Sequence, residues 1–100
     1  MFVRIVKMHF KETKISAFIT HFNSVRDRVR NQPGCHSLQL LQDKDNPNIF
    51  FTYSTWEAPE NLDTYRKSEF FKQVWQETKQ LFEEKPEAWS VQEVKSDIHY

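Results

Sequence analysis

The chain has 100 residues, 38% of them hydrophobic and 15% aromatic, with 14 Lys and Arg balanced by 14 Asp and Glu. That is enough for one domain with one core, and too apolar for a disordered chain. Zero net charge means that the basic excess by which nucleic-acid binding usually announces itself is not present, and the lone Cys35 excludes an intrachain disulfide or a cysteine-rich metal site.

No apolar run approaches the length of a bilayer span, so neither nucleic acid nor membrane is an expected partner. The opening run MFVRIVKMHF carries Arg4 and Lys7 and lacks a small-residue cleavage site. It therefore reads as a strand rather than a secretory signal, and a cytoplasmic protein is expected.

In residues 2–10, one face would carry Phe2, Arg4, Val6, Met8 and Phe10, the other Val3, Ile5, Lys7 and His9. Both faces are largely apolar, the mark of a central strand covered on both sides. From Lys14 to Asn31 the period becomes helical. Ile15, Phe18, Ile19, Phe22, Val25 and Val29 form one stripe, and Pro33-Gly34 closes the segment.

Cys35 to Asp43 reads as a second strand, and the polar cluster Asp43–Pro47 as the loop of a hairpin. Ile49 to Trp56, β-branched and aromatic with no Gly or Pro, is the third strand. Pro59 suits the first position of a helix. This helix is expected to break near Lys67-Ser68, with Ser68 capping a second piece that carries Phe71, Val74, Trp75, Thr78 and Phe82 on one face. Lys85-Pro86 is expected to stop it, and Glu87 to Val94 to form the last strand. The tail Lys95–Tyr100 has no usable pattern.

The order β-α-β-β-α-β predicts a single-domain α+β protein, residues 1–100, with the ferredoxin-like antiparallel sheet and both helices on one face. The opposite sheet face would then be bare and apolar. A second copy is expected to cover it, giving a homodimer packed sheet to sheet.

From Trp56-Glu57 through the short helix to Ser68-Glu69-Phe70-Phe71, the chain resembles the antibiotic biosynthesis monooxygenase family. Pro33-Gly34-Cys35 also resembles that family's step into the second strand. The resemblance spans residues 2 to about 94 and implies a dimeric α+β barrel. It further implies oxygenation of small aromatic, polyketide-like or quinol substrates without metal, flavin or haem as cofactor.

A haem-degrading branch of the family uses an asparagine on the first strand, a tryptophan in the short helix and a histidine in the long one. Here residues 1–22 lack asparagine, and Tyr65 and Trp75 stand at the other two positions. Haem degradation is therefore not expected. Quinol-oxidising members often carry a histidine where this chain has Phe70.

The expected pocket lies between sheet and helices, lined by Trp56, Tyr65, Phe70, Phe71 and Trp75, and takes a small apolar aromatic ligand. Trp56 and Tyr53 sit at odd spacing, so only one of them can face it. His9 is the preferred proton acceptor, since a neutral imidazole takes a proton near pH 7; the plain alternative is a strand-end histidine at the surface or bonded in the core. His36 has a weaker claim, His21 is expected to face solvent, and His99 lies in the tail.

Arg4, in an apolar strand, must be paired or reach the surface; an acidic substrate or a salt bridge across the dimer would satisfy it. The Arg26–Arg30 and Glu83-Glu84 clusters read as solvated faces. No Ser-His-Asp or Cys-His arrangement stands out. The rival reading is a non-enzymatic dimeric module that binds a small ligand or serves a stress-related role, and a third is that the aromatics simply fill the core.

Overall fold

A computed structural model describes residues 1–94. Four strands, β1 (Phe2–Phe10), β2 (Cys35–Gln42), β3 (Ile49–Trp56) and β4 (Phe82–Val91), form one sheet in the order β2-β3-β1-β4. Every neighbouring pair is antiparallel. The helices are α1 (Ile15–Arg30), α2 (Pro59–Lys67) and α3 (Glu69–Lys79). This is the expected ferredoxin-like α+β fold.

Period-two alternation sends Phe2, Arg4, Val6, Met8 and Phe10 of β1 toward the helices and the odd-numbered residues outward. In register with them, Phe50, Thr52, Ser54 and Trp56 of β3 also face inward. Phe10 and Trp56 are fully buried. One core cluster forms around Met8, Phe10, Phe18, Phe22 and Phe50. A second forms around Val29, Cys35, Trp56, Leu62 and Tyr65.

Ser68 makes the break between α2 and α3. Its Oγ donates to the Tyr65 carbonyl (2.6 Å) and accepts from the Phe71 N–H (3.1 Å), closing one helix and capping the next. Gly34 has φ +82°, the left-handed region in which only glycine is unstrained. A Cβ there would lie 2.6 Å from Cβ and Nδ2 of Asn61. The bare backbone lets β2 start close beside α2, and the Gly34 carbonyl accepts the Glu57 N–H at 2.8 Å.

The last strand differs from expectation at both ends, since β4 stops at Val91 and not at Val94. The helix ends at Lys79 rather than at Lys85-Pro86, and Phe82 opens β4 instead of continuing the helical face. The helical stripe and the strand alternation coincide at Phe82, whose ring meets both Trp75 (5.5 Å) and Phe10 (5.3 Å). Pro86 is tolerated because β4 is an edge strand and because the register steps there. Lys7 pairs with Glu87 but His9 with Glu84, so Lys85 and Pro86 together oppose Met8 in a bulge.

Candidate functional site

The two core clusters do not meet across the whole inner face. Cross-strand rows explain why. At one end Phe50 pairs with Met8, and at the other Trp56 pairs with Phe2. Between them lie a row of Thr52, Val6 and Ala88 and a row of Ser54, Arg4 and Ser90. Apart from Arg4 these side chains are small, so the sheet floor dips while the helices above carry Phe18, Phe22, Phe71 and Trp75. A cavity of about 370 Å³ results, walled by all four strands and all three helices.

Trp56, Tyr65, Phe71 and Trp75, four of the five residues expected to line a pocket, are in its wall. They form a continuous aromatic run. Trp56 stacks on Tyr65 at 5.5 Å, Tyr65 meets Phe71 edge-on at 5.1 Å, and Phe71 stacks on Trp75 at 6.1 Å. Trp56 is held in place by an Nε1–H bond to Ser54 Oγ at 3.0 Å.

Phe70 is not in the wall. One residue of helix rotates a side chain by about 100°, so with Phe71 turned inward Phe70 lies to the side. It packs against Tyr65, and the Arg28 guanidinium sits 4.0 Å over its ring.

His9 is also elsewhere. Met8 and Phe10 point inward, so the alternation turns His9 to the outer sheet face, where Nδ1 lies 3.3 Å from Glu84. The sheet itself separates the imidazole from the cavity.

Tyr65 is 8% exposed. Its hydroxyl has no hydrogen-bond partner among the described residues, although the ring borders the cavity. Burial, with a smaller effect from Cys35, pushes its pKa up to about 12. The phenol is therefore neutral near pH 7. Cys35 is buried, and burial raises its thiol pKa, opposed by the Arg30 charge and more weakly by the Ser37 backbone.

Sequence reasoning placed His21 in solvent; the structure places it between α1 and α3. Its Nδ1 lies 2.9 Å from a Glu77 carboxylate oxygen, and its Nε2 lies 3.1 Å from both the Val74 carbonyl and Thr78 Oγ1. Thr78 in turn lines the cavity. The signal was present in the spacing, because residue 21 follows Phe18 by three and so flanks the buried stripe. His36 bonds Glu57 at 2.6 Å, tying the start of β2 to the entry of α2.

Arg66, which sequence reasoning passed over, joins Arg4 in the cavity wall. Among the described residues no group of three His, Cys, Asp or Glu is placed to hold a metal ion, and no helix is long and apolar enough to cross a membrane.

A family model described as antibiotic biosynthesis monooxygenase matches residues 1–77. A solved structure described as an antibiotic biosynthesis monooxygenase superposes with TM-score 0.87 at 18% identity, covering 94% of this chain and 99% of that one. A conserved protein from Methanosarcina mazei Go1 gives 0.87 at 21% identity, with 94% of each chain covered. A Mycobacterium tuberculosis protein gives 0.85 at 14%, covering 97% of this chain and 98% of its own. At such identities the likeness to these structures is one of fold. No curated protein matches the chain.

Proposed function

The chain belongs to the antibiotic biosynthesis monooxygenase family, and from that premise we propose that its cavity binds a small aromatic, polyketide-like or quinol compound and supports its oxygenation by dioxygen. The observation that carries this reading is the aromatic-walled cavity of about 370 Å³ between sheet and helices. Pockets of this kind, mostly apolar with a few convergent polar groups, suit flat aromatic ligands. Trp56, Tyr65, Phe71 and Trp75 offer ring faces and edges for stacking. The Tyr65 hydroxyl is a neutral donor for a substrate oxygen.

The chemistry then belongs largely to the substrate. An anthrone-like carbon bearing two hydrogens loses one proton to water, and the resulting electron-rich anion transfers an electron to dioxygen. Recombination forms a C–O bond, and the peroxide, once protonated, breaks its O–O bond with loss of the second hydrogen. The carbon leaves as a ketone, one oxygen atom stays on it, and the other departs as water. No metal, flavin or haem is needed for this sequence. The protein binds the substrate and orients it.

His9 takes no part in this reading, because the sheet lies between it and the cavity. We also infer a homodimer formed through the outer sheet face, which carries Ile5, Phe51, Tyr53 and the exposed Trp89, Leu41 and Val91.

Oxygen uptake by the purified, metal-stripped protein against a panel of anthrones, quinols and catechols tests the proposal. Protein-dependent uptake with one oxygen atom recovered in the product is the expected result. Saturable binding of the same compounds without oxygen consumption would overturn it in favour of a non-enzymatic binding module of the same fold.

A further inference from the structure

Arg4 and Arg66 stand apart from the rest of the cavity wall. Arg4 lies on the inner face of β1 and donates from Nη1 to Ser90 Oγ at 3.0 Å. Arg66 comes from the last turn of α2. Both also border a second, more polar cleft, so together with Leu62 they form the boundary between the two spaces.

Neither guanidinium makes an ion pair among the described residues. Glu57 and Asp63 line the outer cleft but do not pair with them; Glu57 is engaged by His36 instead. The two cations sense each other. Burial first, and then the Arg66 charge, lower the pKa of the Arg4 guanidinium. Arg66 is exposed and Arg4 half-buried, so water solvates both cations, and an anionic group entering the cavity beside them would gain from two charges at once.

We propose that the cavity selects aromatic ligands carrying an acidic oxygen group, held as the anion by Arg4 and Arg66 while the ring system lies against Trp56 and Tyr65. This inference rests on the reading of the cavity as a ligand site and names the class of ligand. Planar guanidinium groups match an aryl carboxylate or an ionised phenol or enol, with charge-assisted bonds stronger than neutral ones. A nearby positive charge also favours the ionised form of a bound acid. For a phenol or enol, that ionised form is the species able to give an electron to dioxygen.

The test is a pair of near-isosteric probes, 2-naphthoate and 2-naphthalenemethanol, titrated by quenching of protein fluorescence. Wild type is expected to bind the carboxylate about tenfold more tightly than the alcohol. R66Q and R4Q are each expected to weaken the carboxylate about fivefold or more while leaving the alcohol unchanged. R66Q keeps the test informative should the more buried Arg4 position disturb folding.

Equal affinities for the two probes, parallel loss of both in the variants, or binding of neither would each overturn the inference. Oxygen uptake separates the two proposals. Carboxylate selectivity without uptake by any substrate keeps this one and removes the oxygenation reading. Undiminished turnover of a neutral substrate by R4Q and R66Q, with the two probes bound equally, does the reverse.

Discussion

Trp56 and Tyr65 lie stacked with ring centroids 5.5 Å apart and planes within 22°, one from the last residue of β3 and the other from α2. The pair closes one end of the cavity and fixes where the short helix sits on the sheet. Its polar edges differ. The indole N–H is satisfied by Ser54, whereas the phenol has no hydrogen-bond partner among the described residues.

The pH dependence of Tyr65 follows from that burial. Its pKa in the folded chain is raised to about 12 against 10.0 for the ordinary side chain. Below pH 10 the phenol is protonated in both states and the shift has no effect on stability. Between 10 and 12 the unfolded chain has released the proton and the folded chain still holds it, so stability falls as pH rises. The difference in unfolding free energy between wild type and Y65F should be flat to pH 10, then decline by at most ~2–3 kcal/mol toward pH 12. Urea titrations of both proteins across that range measure it, and a difference that stays flat would refute the assignment.

His21 fastens α1 to α3. H21A leaves the Thr78 hydroxyl and the Val74 carbonyl without their cross-helix partner, at a cost of about 1–3 kcal/mol. E77A removes only the exposed end of the same chain of contacts and should cost less than ~1 kcal/mol. Chemical denaturation of the two variants distinguishes them; equal losses would mean that the ion pair, not the buried bonds, holds the helices together.

Gly34 is irreplaceable for two separate reasons. G34A forces an L residue into the left-handed region, at about 1–2 kcal/mol, and drives a methyl group into Asn61. Because that contact sets β2 beside α2, the strain should reach the Trp56–Tyr65 end of the cavity. A lowered melting temperature together with changed near-ultraviolet tryptophan dichroism is the expected pair of results.

The outer sheet face supplies the fourth prediction. Ile5 lies between its register partners Tyr53 and Trp89, at the middle of the apolar rows. I5K should leave the far-ultraviolet spectrum intact and convert a species of twice the 12.1 kDa chain mass into one of that mass in sedimentation equilibrium. A wild type that already sediments as a monomer would remove the dimer proposal.

Much of this molecule is set by local pattern. Strict alternation in residues 2–10 and 49–56 fixes which side chains share a sheet face. The three-and-four spacing of Phe18, Phe22, Val25 and Val29 fixes the buried side of α1, and Ser68 marks the helix break through its hydroxyl alone. The aromatic wall was legible for the same reason, since Trp56, Phe71 and Trp75 fall on inward positions of regular elements.

What the pattern could not decide depended on neighbours distant in sequence. Phe82 satisfied helix and strand spacing equally, and its pairing opposite Phe10 settled it. The inward choice of Met8 and Phe10 carried His9 to the outer face, which no single strand dictates by itself. The cavity exists because small residues from β1, β3 and β4 align in adjacent rows, a matter of register between strands. Arg4 and Arg66 share a wall only because α2 crosses that floor, and only the assembled fold brings two like charges there without an ion pair among the described residues.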